Sequence, residues 1–226
     1  MAKRRKVGNL LALAILALLA PGRPMYPYEM ATVLRRTGKE RDLRTPIKWG
    51  SLYTVVQNLD KHGFIQATGS DRAGRRPERT SYAITVDGRA ELENWLRELV
   101  AVPEPEPSRF EAALSVMGVL SPDEVAALLE RRLRALDSDI ATQRATLDQT
   151  SRQVARIFLI EAEYALAMRT AEAAWVRGLL AELADGTLPG VAQWRSYHQT
   201  GRMPEEFAVE WTKLLAHPER EGGPSD

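Results

Sequence analysis

The fold follows from the segment Trp49-Gly-Ser-Leu-Tyr-Thr-Val-Val-Gln-Asn-Leu-Asp-Lys-His-Gly-Phe-Ile65. We expect Ser51 to be the N-cap of a helix, because a serine oxygen can accept a hydrogen bond from a first-turn N–H group. This helix runs through Asp60 and ends at His62-Gly63, and residues 64–68 begin a run with strand propensity. Its apolar residues recur at helical spacing and predict an inner face: Leu52, Val55, Val56 and Leu59.

Four further segments flank this helix. Residues 10–20 are almost entirely Leu, Ala and Ile, which predicts a first helix that is buried on several sides. Pro27 begins a short amphipathic helix that ends near Arg36. Residues 80–85 alternate well enough to form a return strand, and Thr85-Val-Asp-Gly88 begins a fourth helix. Three helices, a hairpin and a fourth helix are the organisation of a winged helix-turn-helix.

The two halves of the chain differ in charge. Residues 1–100 hold 18 Lys and Arg against 10 Asp and Glu, whereas residues 101–226 hold 13 against 20. A basic half favours a polyanionic partner such as nucleic acid, and an acidic, helix-rich half is typical of an interaction region. Prolines at 103, 105 and 107 exclude a helix interior and mark the boundary.

We therefore predict four regions. Residues 1–100 form a winged-helix DNA-binding domain and residues 101–107 a proline-rich joint. Residues 108–215 form a helical domain for dimerisation and for binding an effector, and residues 216–226 form a disordered tail. The predicted fold class is mainly α: an N-terminal winged helix-turn-helix of three helices, a β-hairpin wing and a fourth helix, followed by an all-α C-terminal domain.

Several blocks in the N-terminal half resemble one known family. They follow one another in order across residues 8–100: Met25-Tyr-Pro-Tyr-Glu-Met30, Gly50-Ser-Leu-Tyr53, Leu59-Asp-Lys-His-Gly-Phe-Ile65, Gly74-Arg-Arg-Pro77, Tyr82-Ala-Ile-Thr85 and Gly88. Together with the apolar first helix, these blocks are similar to the PadR family of bacterial transcriptional regulators. Pro27 departs from the family, in which a glycine is common at that place. We expect this change to leave the fold intact, because proline suits a helix start.

The third helix is predicted to read DNA. Short polar side chains on an exposed helix face fit the major groove, where they can exchange hydrogen bonds with base edges. The resemblance implies that Gly50-Ser-Leu-Tyr53 begins the recognition helix, with Tyr53 near the phosphate backbone. Packing of Tyr53 against the second helix is an alternative that the sequence leaves open. The predicted DNA-binding residues of this region are Lys48, Ser51, Tyr53, Thr54, Gln57, Asn58 and Lys61.

The hairpin tip carries a dense basic patch. Gly74 supplies a turn and Pro77 stiffens it. Arginine can bind phosphate with two hydrogen bonds and can enter a narrow minor groove, so this wing should add affinity with little sequence information. The arginines predicted to contact DNA are Arg72, Arg75, Arg76 and Arg79.

The acidic half is predicted to be helical throughout. We expect a helix over residues 108–120, and a long helix that begins at Ser121-Pro122. A seven-residue repeat pairs positions 126/129, 133/136, 140/143, 147/150 and 154/157, but Gln143 and Thr150 weaken it. One continuous helix, or a turn at residues 149–151 between two antiparallel helices, both fit this pattern. A strongly apolar helix follows from Ile157 and Phe158 to near Asp185-Gly186, and two short helices flank residues 201–204.

Two roles are predicted for this half. An isolated winged helix reads only a few base pairs, whereas a twofold dimer reads both halves of an inverted repeat, so we favour dimerisation. The resemblance extends more weakly through Trp175-Val-Arg-Gly-Leu-Leu180, which is similar to the dimer-forming helical domain of larger family members. Some relatives respond to aromatic compounds, and the second predicted role is an effector pocket lined by Trp95, Phe158, Tyr164 and Trp175.

The amino terminus has charged and apolar blocks that resemble a secretory signal. Lys3-Arg-Arg-Lys6 precedes the apolar run, but residues 18–20 lack the small residues of a cleavage site. The run is also too short to span a bilayer. We favour a buried helix in a cytoplasmic protein with no membrane partner. The basic tetrad is either a contact to phosphates or a solubilising tail.

The sequence contains no recognisable catalytic motif. It has no cysteine, and its three histidines are scattered, which argues against metal sites and predicts no cofactor. We therefore predict a regulator and not an enzyme: a homodimeric repressor that binds double-stranded DNA at an inverted-repeat operator, with release by a small aromatic effector. The alternatives are a nucleoid protein that coats DNA without sequence preference and a winged helix that binds another protein.

Overall fold

The structure is a computed structural model that describes residues 8–38, 48–71, 79–103 and 108–216. The chain divides into two compact units, residues 1–106 and residues 107–226. The predicted disordered tail lies outside the described residues, apart from Ala216. None of the helices in the described ranges is long and apolar enough to cross a membrane.

The N-terminal unit consists of four helices and a two-stranded antiparallel hairpin among its described residues. In chain order they are α1 (Leu10–Leu19), α2 (Pro27–Arg36), α3 (Trp49–Lys61), β1 (Ile65–Asp71), β2 (Arg79–Ile84) and α4 (Val86–Ala101).

Helix α1 is the centre of the core, as its composition predicted. Leu11, Ile15 and Leu19 are fully buried, because the helix is apolar on every side and is covered by its neighbours. The side chain of Asn9 caps its start by accepting a hydrogen bond from the Leu11 N–H group at 2.8 Å. At its other end, Arg89 of α4 donates to the Ala20 carbonyl at 2.5 Å. This bond satisfies one of the carbonyl groups that a helix end leaves open.

The N-cap of helix α3 lies three residues before the predicted N-cap. Lys48 occupies the N-cap position and Ser51 lies within the first turn, so the prediction that Ser51 caps the helix is wrong. The indole of Trp49 stacks on the ring of Tyr28, and this contact with α2 holds the extra residues in helical conformation. The predicted inner face is confirmed, since all four of its residues are buried: Leu52, Val55, Val56 and Leu59.

The hairpin begins directly after α3. Strand pairing starts at Ile65 and Ile84, and the register shifts between Ala67 and Gly69, which marks a bulge. Tyr82 also exchanges two backbone hydrogen bonds of 3.0 Å with Met25, which ties the chain between α1 and α2 to the outer edge of the hairpin. The base of the wing is therefore fixed to the helical core on both sides.

The junction between the hairpin and α4 is tightly packed. Thr85 caps α4 by accepting from the Gly88 N–H group at 3.0 Å, and its hydroxyl donates to the Gly63 carbonyl at 2.6 Å. Gly88 is buried against the backbone of Phe64, where a Cβ atom would lie 1.9 Å from the carbonyl oxygen. Glycine is required here because the two backbones approach too closely for any side chain.

The C-terminal unit is helical throughout its described residues. It comprises α5 (Arg109–Leu114), α6 (Pro122–Thr150), α7 (Ile160–Asp185), α8 (Val191–Thr200) and α9 (Glu205–Ala216), with short 3₁₀ turns at Met117–Val119 and Arg156–Phe158.

The helix expected over residues 108–120 is interrupted after Leu114. Hydrogen bonds from the N–H groups of Val116, Val119 and Leu120 reach back only three residues and form the 3₁₀ turn. Trp194 of α8 donates from its indole nitrogen to the Leu120 carbonyl at 2.9 Å. This long-range bond holds the turn in place, and it could not be foreseen from the local sequence.

Helices α6 and α7 form an antiparallel hairpin. Helix α6 continues through Thr150 and a turn follows at residues 151–153, so the single continuous helix is wrong, and the break lies two residues later than residues 149–151. The predicted heptad positions Val154 and Ile157 consequently fall in the connection, and Ile157 and Phe158 lie in the 3₁₀ turn before α7. Polar side chains join the two helices.

Those polar contacts explain the weak part of the heptad pattern. Arg169 donates to the Gln143 side chain at 3.1 Å, so a polar residue at this seam position has a partner on the facing helix. Arg132 donates to Glu172 at 2.6 Å, and Arg177 forms a further ion pair with Asp137. Gly186 ends α7 in the left-handed conformation with φ of 76°, as Asp185-Gly186 predicted.

Candidate nucleic-acid interface

The outer face of α3 is a continuous exposed surface. All seven side chains predicted here are exposed, while the helix is anchored by the four buried residues of its inner face. We call this surface the α3 face and define it by Lys48, Ser51, Tyr53, Thr54, Gln57, Asn58 and Lys61. Because the inner face is fixed in the core, these side chains keep a defined spacing on a rigid helix.

Tyr53 lies at the surface and not in the core. Its side chain is 51% exposed, so the alternative in which it packs against the second helix is wrong. Tyr82 of β2 lies within electrostatic range of Tyr53 and of the Asp60 carboxylate. Burial raises the pKa of the Tyr82 phenol, and the nearby Asp60 carboxylate raises it further. Tyr82 therefore stays neutral and able to donate a hydrogen bond well above neutral pH.

Local hydrogen bonds already occupy part of the α3 face. The hydroxyl of Thr54 donates to the Gly50 carbonyl at 2.9 Å, so its oxygen can still accept a hydrogen bond but its proton is already used. The backbone carbonyl of Asn58 lies 2.7 Å from the His62 ring nitrogen, so this end of the helix is capped by its own side chains. The amides of Gln57 and Asn58 can both donate and accept at the same time.

The arginine tip of the wing lies mostly outside the described residues. Arg72, Arg75 and Arg76 belong to that segment, and Arg79 is the first residue of β2, where its backbone pairs with Asp71. The structure does describe the base of the hairpin, which starts four residues after the end of α3.

Sequence reasoning missed an aromatic stack at the start of α3. The rings of Tyr28 and Trp49 are stacked with centroids 5.4 Å apart and planes 4° apart. The guanidinium carbon of Arg35 lies 5.0 Å from the centroid of the Trp49 ring. The available signals were a tryptophan directly before Gly50-Ser51 and two residues seven positions apart on one face of α2.

The predicted effector residues occupy different environments. Trp95 is 4% exposed in the core of the N-terminal unit, so its ring is committed to packing against α1 and its neighbours. Phe158, Tyr164 and Trp175 are exposed in the C-terminal unit, where Trp175 makes an edge contact with Phe110. A shallow cleft of about 340 Å³ lies between α6, α7 and α8, and none of these four aromatic residues lines it.

These features define the class of the N-terminal unit. A helix anchored by its inner face, an exposed polar outer face and an adjacent hairpin form a winged helix-turn-helix. The model of the Transcriptional regulator PadR-like family matches residues 15–94. The chain therefore carries a PadR-like domain over these residues, and the predicted resemblance is confirmed.

Solved structures show the same architecture. Bacillus subtilis PadR in complex with operator DNA is 20% identical to this chain in sequence. The two structures superpose with a TM-score of 0.62, and the alignment covers 77% of this chain and 99% of that chain. The same protein in complex with p-coumaric acid is 19% identical, with the same TM-score and coverage. The Vibrio cholerae virulence activator AphA is 18% identical with a TM-score of 0.56, covering 77% of this chain and 98% of that chain.

At these identities the similarity shows the fold. The predicted fold class, a mainly α winged helix followed by an all-α region, is confirmed by the elements described above and by these structures. No curated protein matches the sequence.

Proposed function

We propose that this protein is a sequence-specific DNA-binding transcriptional regulator that reads its operator with the α3 face. The exposed row of short polar side chains on a helix with a buried inner face supports this most directly. The PadR-like domain and the relative bound to operator DNA support the same function. The α3 face enters the major groove, where Gln57 and Asn58 pair with base edges and Lys48, Tyr53 and Lys61 contact phosphates.

The wing supplies affinity in this proposal. Its arginines bind phosphates and release counterions, so their contribution depends on salt and not on base sequence. Replacing both Arg75 and Arg76 with alanine is expected to weaken binding to operator and to shuffled DNA by similar factors. The slope of log affinity against log salt should fall by about 2, since each phosphate contact contributes about 0.9. Anisotropy titrations at four salt concentrations measure both quantities.

A matched control removes two arginines elsewhere. Arg131 and Arg144 are exposed on α6, in the acidic unit. Their double alanine variant loses the same charge but should leave the salt slope unchanged. If the wing variant shows the wild-type slope, the arginine tip does not touch the DNA.

We further propose that the protein acts as a homodimer through an apolar stripe on α7. Successive helical residues turn by about 100°, so the stripe residues share one side of the helix, opposite the buried Ala173 and Val176. About half or more of each stripe side chain is exposed, which is unusual for apolar groups repeated along a helix. The stripe consists of Ile160, Tyr164, Met168 and Trp175.

A charge in the centre of the stripe should separate the protomers. Tyr164→Glu would place an unpaired carboxylate in the interface, which is costly to bury. The variant is expected to be monomeric at micromolar concentration by light scattering, and to lose affinity for a two-half-site operator. Thr170→Glu, exposed on the same helix but off the stripe, is the control and should stay dimeric. If the Tyr164→Glu variant is still dimeric, the stripe is not part of the dimer interface.

Repression and effector release complete the proposal. A repressor of this kind acts in the cytoplasm, performs no chemical reaction and binds no membrane. The relative in complex with p-coumaric acid supports a small aromatic effector. Of the predicted effector residues, Phe158, Tyr164 and Trp175 are exposed in the C-terminal unit, and Phe158 lies outside the stripe that a partner protomer would cover. An effector can release DNA only if it binds the DNA-free state more tightly than the bound state.

A further inference from the structure

We propose that Trp49 is a positioning residue for DNA reading, and that its contacts with Tyr28 and Arg35 fix the direction of α3 against α2. This inference rests on the proposed function, because it concerns how the α3 face is presented to DNA. Trp49 would thus determine specificity although it is not one of the seven residues of that face.

Two side chains of α2 contact the indole of Trp49. The rings of Tyr28 and Trp49 are nearly parallel, with 4° between their planes and 5.4 Å between their centroids. Arg35 places its guanidinium 5.0 Å from the centroid of the same indole. Stacking of aromatic rings and of arginine on an indole are both attractive and both restrict the ring to one orientation.

The spacing on α2 explains how both groups reach one ring. Tyr28 and Arg35 are seven residues apart, which is about two helical turns or about 10.5 Å along the axis. The indole, which belongs to the first residue of α3, therefore contacts side chains from the first and the last turn of α2.

The stack lies at the surface and is separate from the core that holds the two helices together. Tyr28 is 62% exposed and Trp49 is 41% exposed. The core contacts between α2 and α3 are made by residues that are fully buried, such as Met30, Leu34 and Leu52. Loss of the stack should therefore leave the domain folded while it relaxes the angle between the helices.

A small change of the angle between α2 and α3 causes a large displacement of the side chains that reach the DNA. Helix α3 has 13 residues and is about 20 Å long. A tilt of about 5° about one end moves the other end by nearly 2 Å, well beyond the few tenths of an ångström that a hydrogen bond to a base edge tolerates. Phosphate contacts by long Lys and Arg side chains tolerate this motion better. We infer that the stack sustains discrimination between sequences more than total affinity.

The test compares affinities for two DNA duplexes. The wild-type full chain first selects a duplex from a random pool, and anisotropy then gives the affinity for this duplex and for a shuffled one at physiological salt. Trp49→Ala is expected to lower the ratio of the two affinities at least about tenfold. Trp49→Phe, which keeps a stacking ring, should recover most of the ratio. Circular dichroism verifies that each variant is folded.

Arg35 and Arg36 provide a matched pair of variants. Both are exposed arginines at the end of α2, and it is the guanidinium of Arg35 that lies over the Trp49 ring. Arg35→Ala should lower the ratio, whereas Arg36→Ala should lower both affinities alike and keep the ratio. If Trp49→Ala does not fold, the affinity ratios of these two variants still test the positioning role of Trp49.

Each outcome has a separate meaning. Folded Trp49→Ala and Arg35→Ala variants that keep the wild-type ratio within about twofold would overturn the positioning role and leave the proposed function standing. A wild-type chain that selects no duplex would overturn the proposed function itself, and this inference with it.

Discussion

Gly88→Ala is expected to unfold the N-terminal unit at temperatures at which the wild type is stable. The added Cβ atom would lie 1.9 Å from the Phe64 carbonyl oxygen, 2.7 Å from its carbon and 3.1 Å from Ile84. The same carbonyl accepts a hydrogen bond from the Thr85 N–H group at 3.1 Å. Two of the three clashing atoms are backbone, so neither a rotamer change nor a small shift can relieve the overlap.

The size of this effect follows from the cost of overpacking. Such substitutions typically cost about 1–3 kcal/mol and occasionally more, and we expect at least about 3 kcal/mol because the backbone itself must move. For a unit of this size, the melting temperature should fall by more than about 10 °C. Differential scanning calorimetry measures the change.

Gly50→Ala is the matched control in the same unit. Gly50 lies within α3, and a Cβ atom at this position would meet nothing within 4 Å. Alanine favours helix over glycine by up to about 1 kcal/mol, so the control should be as stable as the wild type or slightly more stable. A Gly88→Ala variant that melts within about 2 °C of the wild type would show that the α4 junction is looser than described.

The second large effect is expected from Thr54→Ala combined with Gln57→Ala. Both side chains lie on the exposed α3 face, and neither supports the core. Gln57 can form a bidentate contact with a base, and one such contact provides about 1–3 kcal/mol of discrimination. We therefore expect the preference for the selected duplex to fall by about 10- to 100-fold, while affinity for shuffled DNA and the melting temperature stay unchanged.

A control with the same chemistry lies on α6. Thr142 and Gln149 are both exposed there, and their double alanine variant removes the same two side chains outside the PadR-like domain. This control variant should keep the full preference for the selected duplex. A Thr54/Gln57 variant that retains the wild-type preference would exclude these two side chains from base reading and would assign the reading of sequence to other residues.

Features that depend on local chemistry could be predicted from the sequence. The inner face of α3 was predicted because four apolar residues repeat at helical spacing on an amphipathic segment. The start of α6 at Ser121-Pro122 and the end of α7 at Gly186 follow from cap preferences that act within one turn. The resemblance blocks also indicated the family, and the family model confirms it.

Features that depend on long-range contacts could not be predicted. The helix after Ser108 is interrupted by a turn that is held by Trp194, 74 residues away from its partner Leu120. Helix α3 starts at Trp49 because an indole stacks on Tyr28 of another helix. Trp95 was assigned to an effector pocket from its aromatic character, but its ring belongs to the core. Periodicity along one segment contains no information about which distant residue packs on it.

Anisotropy of the purified chain on two duplexes measures whether the α3 face reads sequence. One duplex is selected from a random pool by the chain itself, and the other has the same composition in shuffled order. We expect the selected duplex to bind at least about 10³ times more tightly at physiological salt. Equal binding to both duplexes that weakens steeply with salt would contradict it.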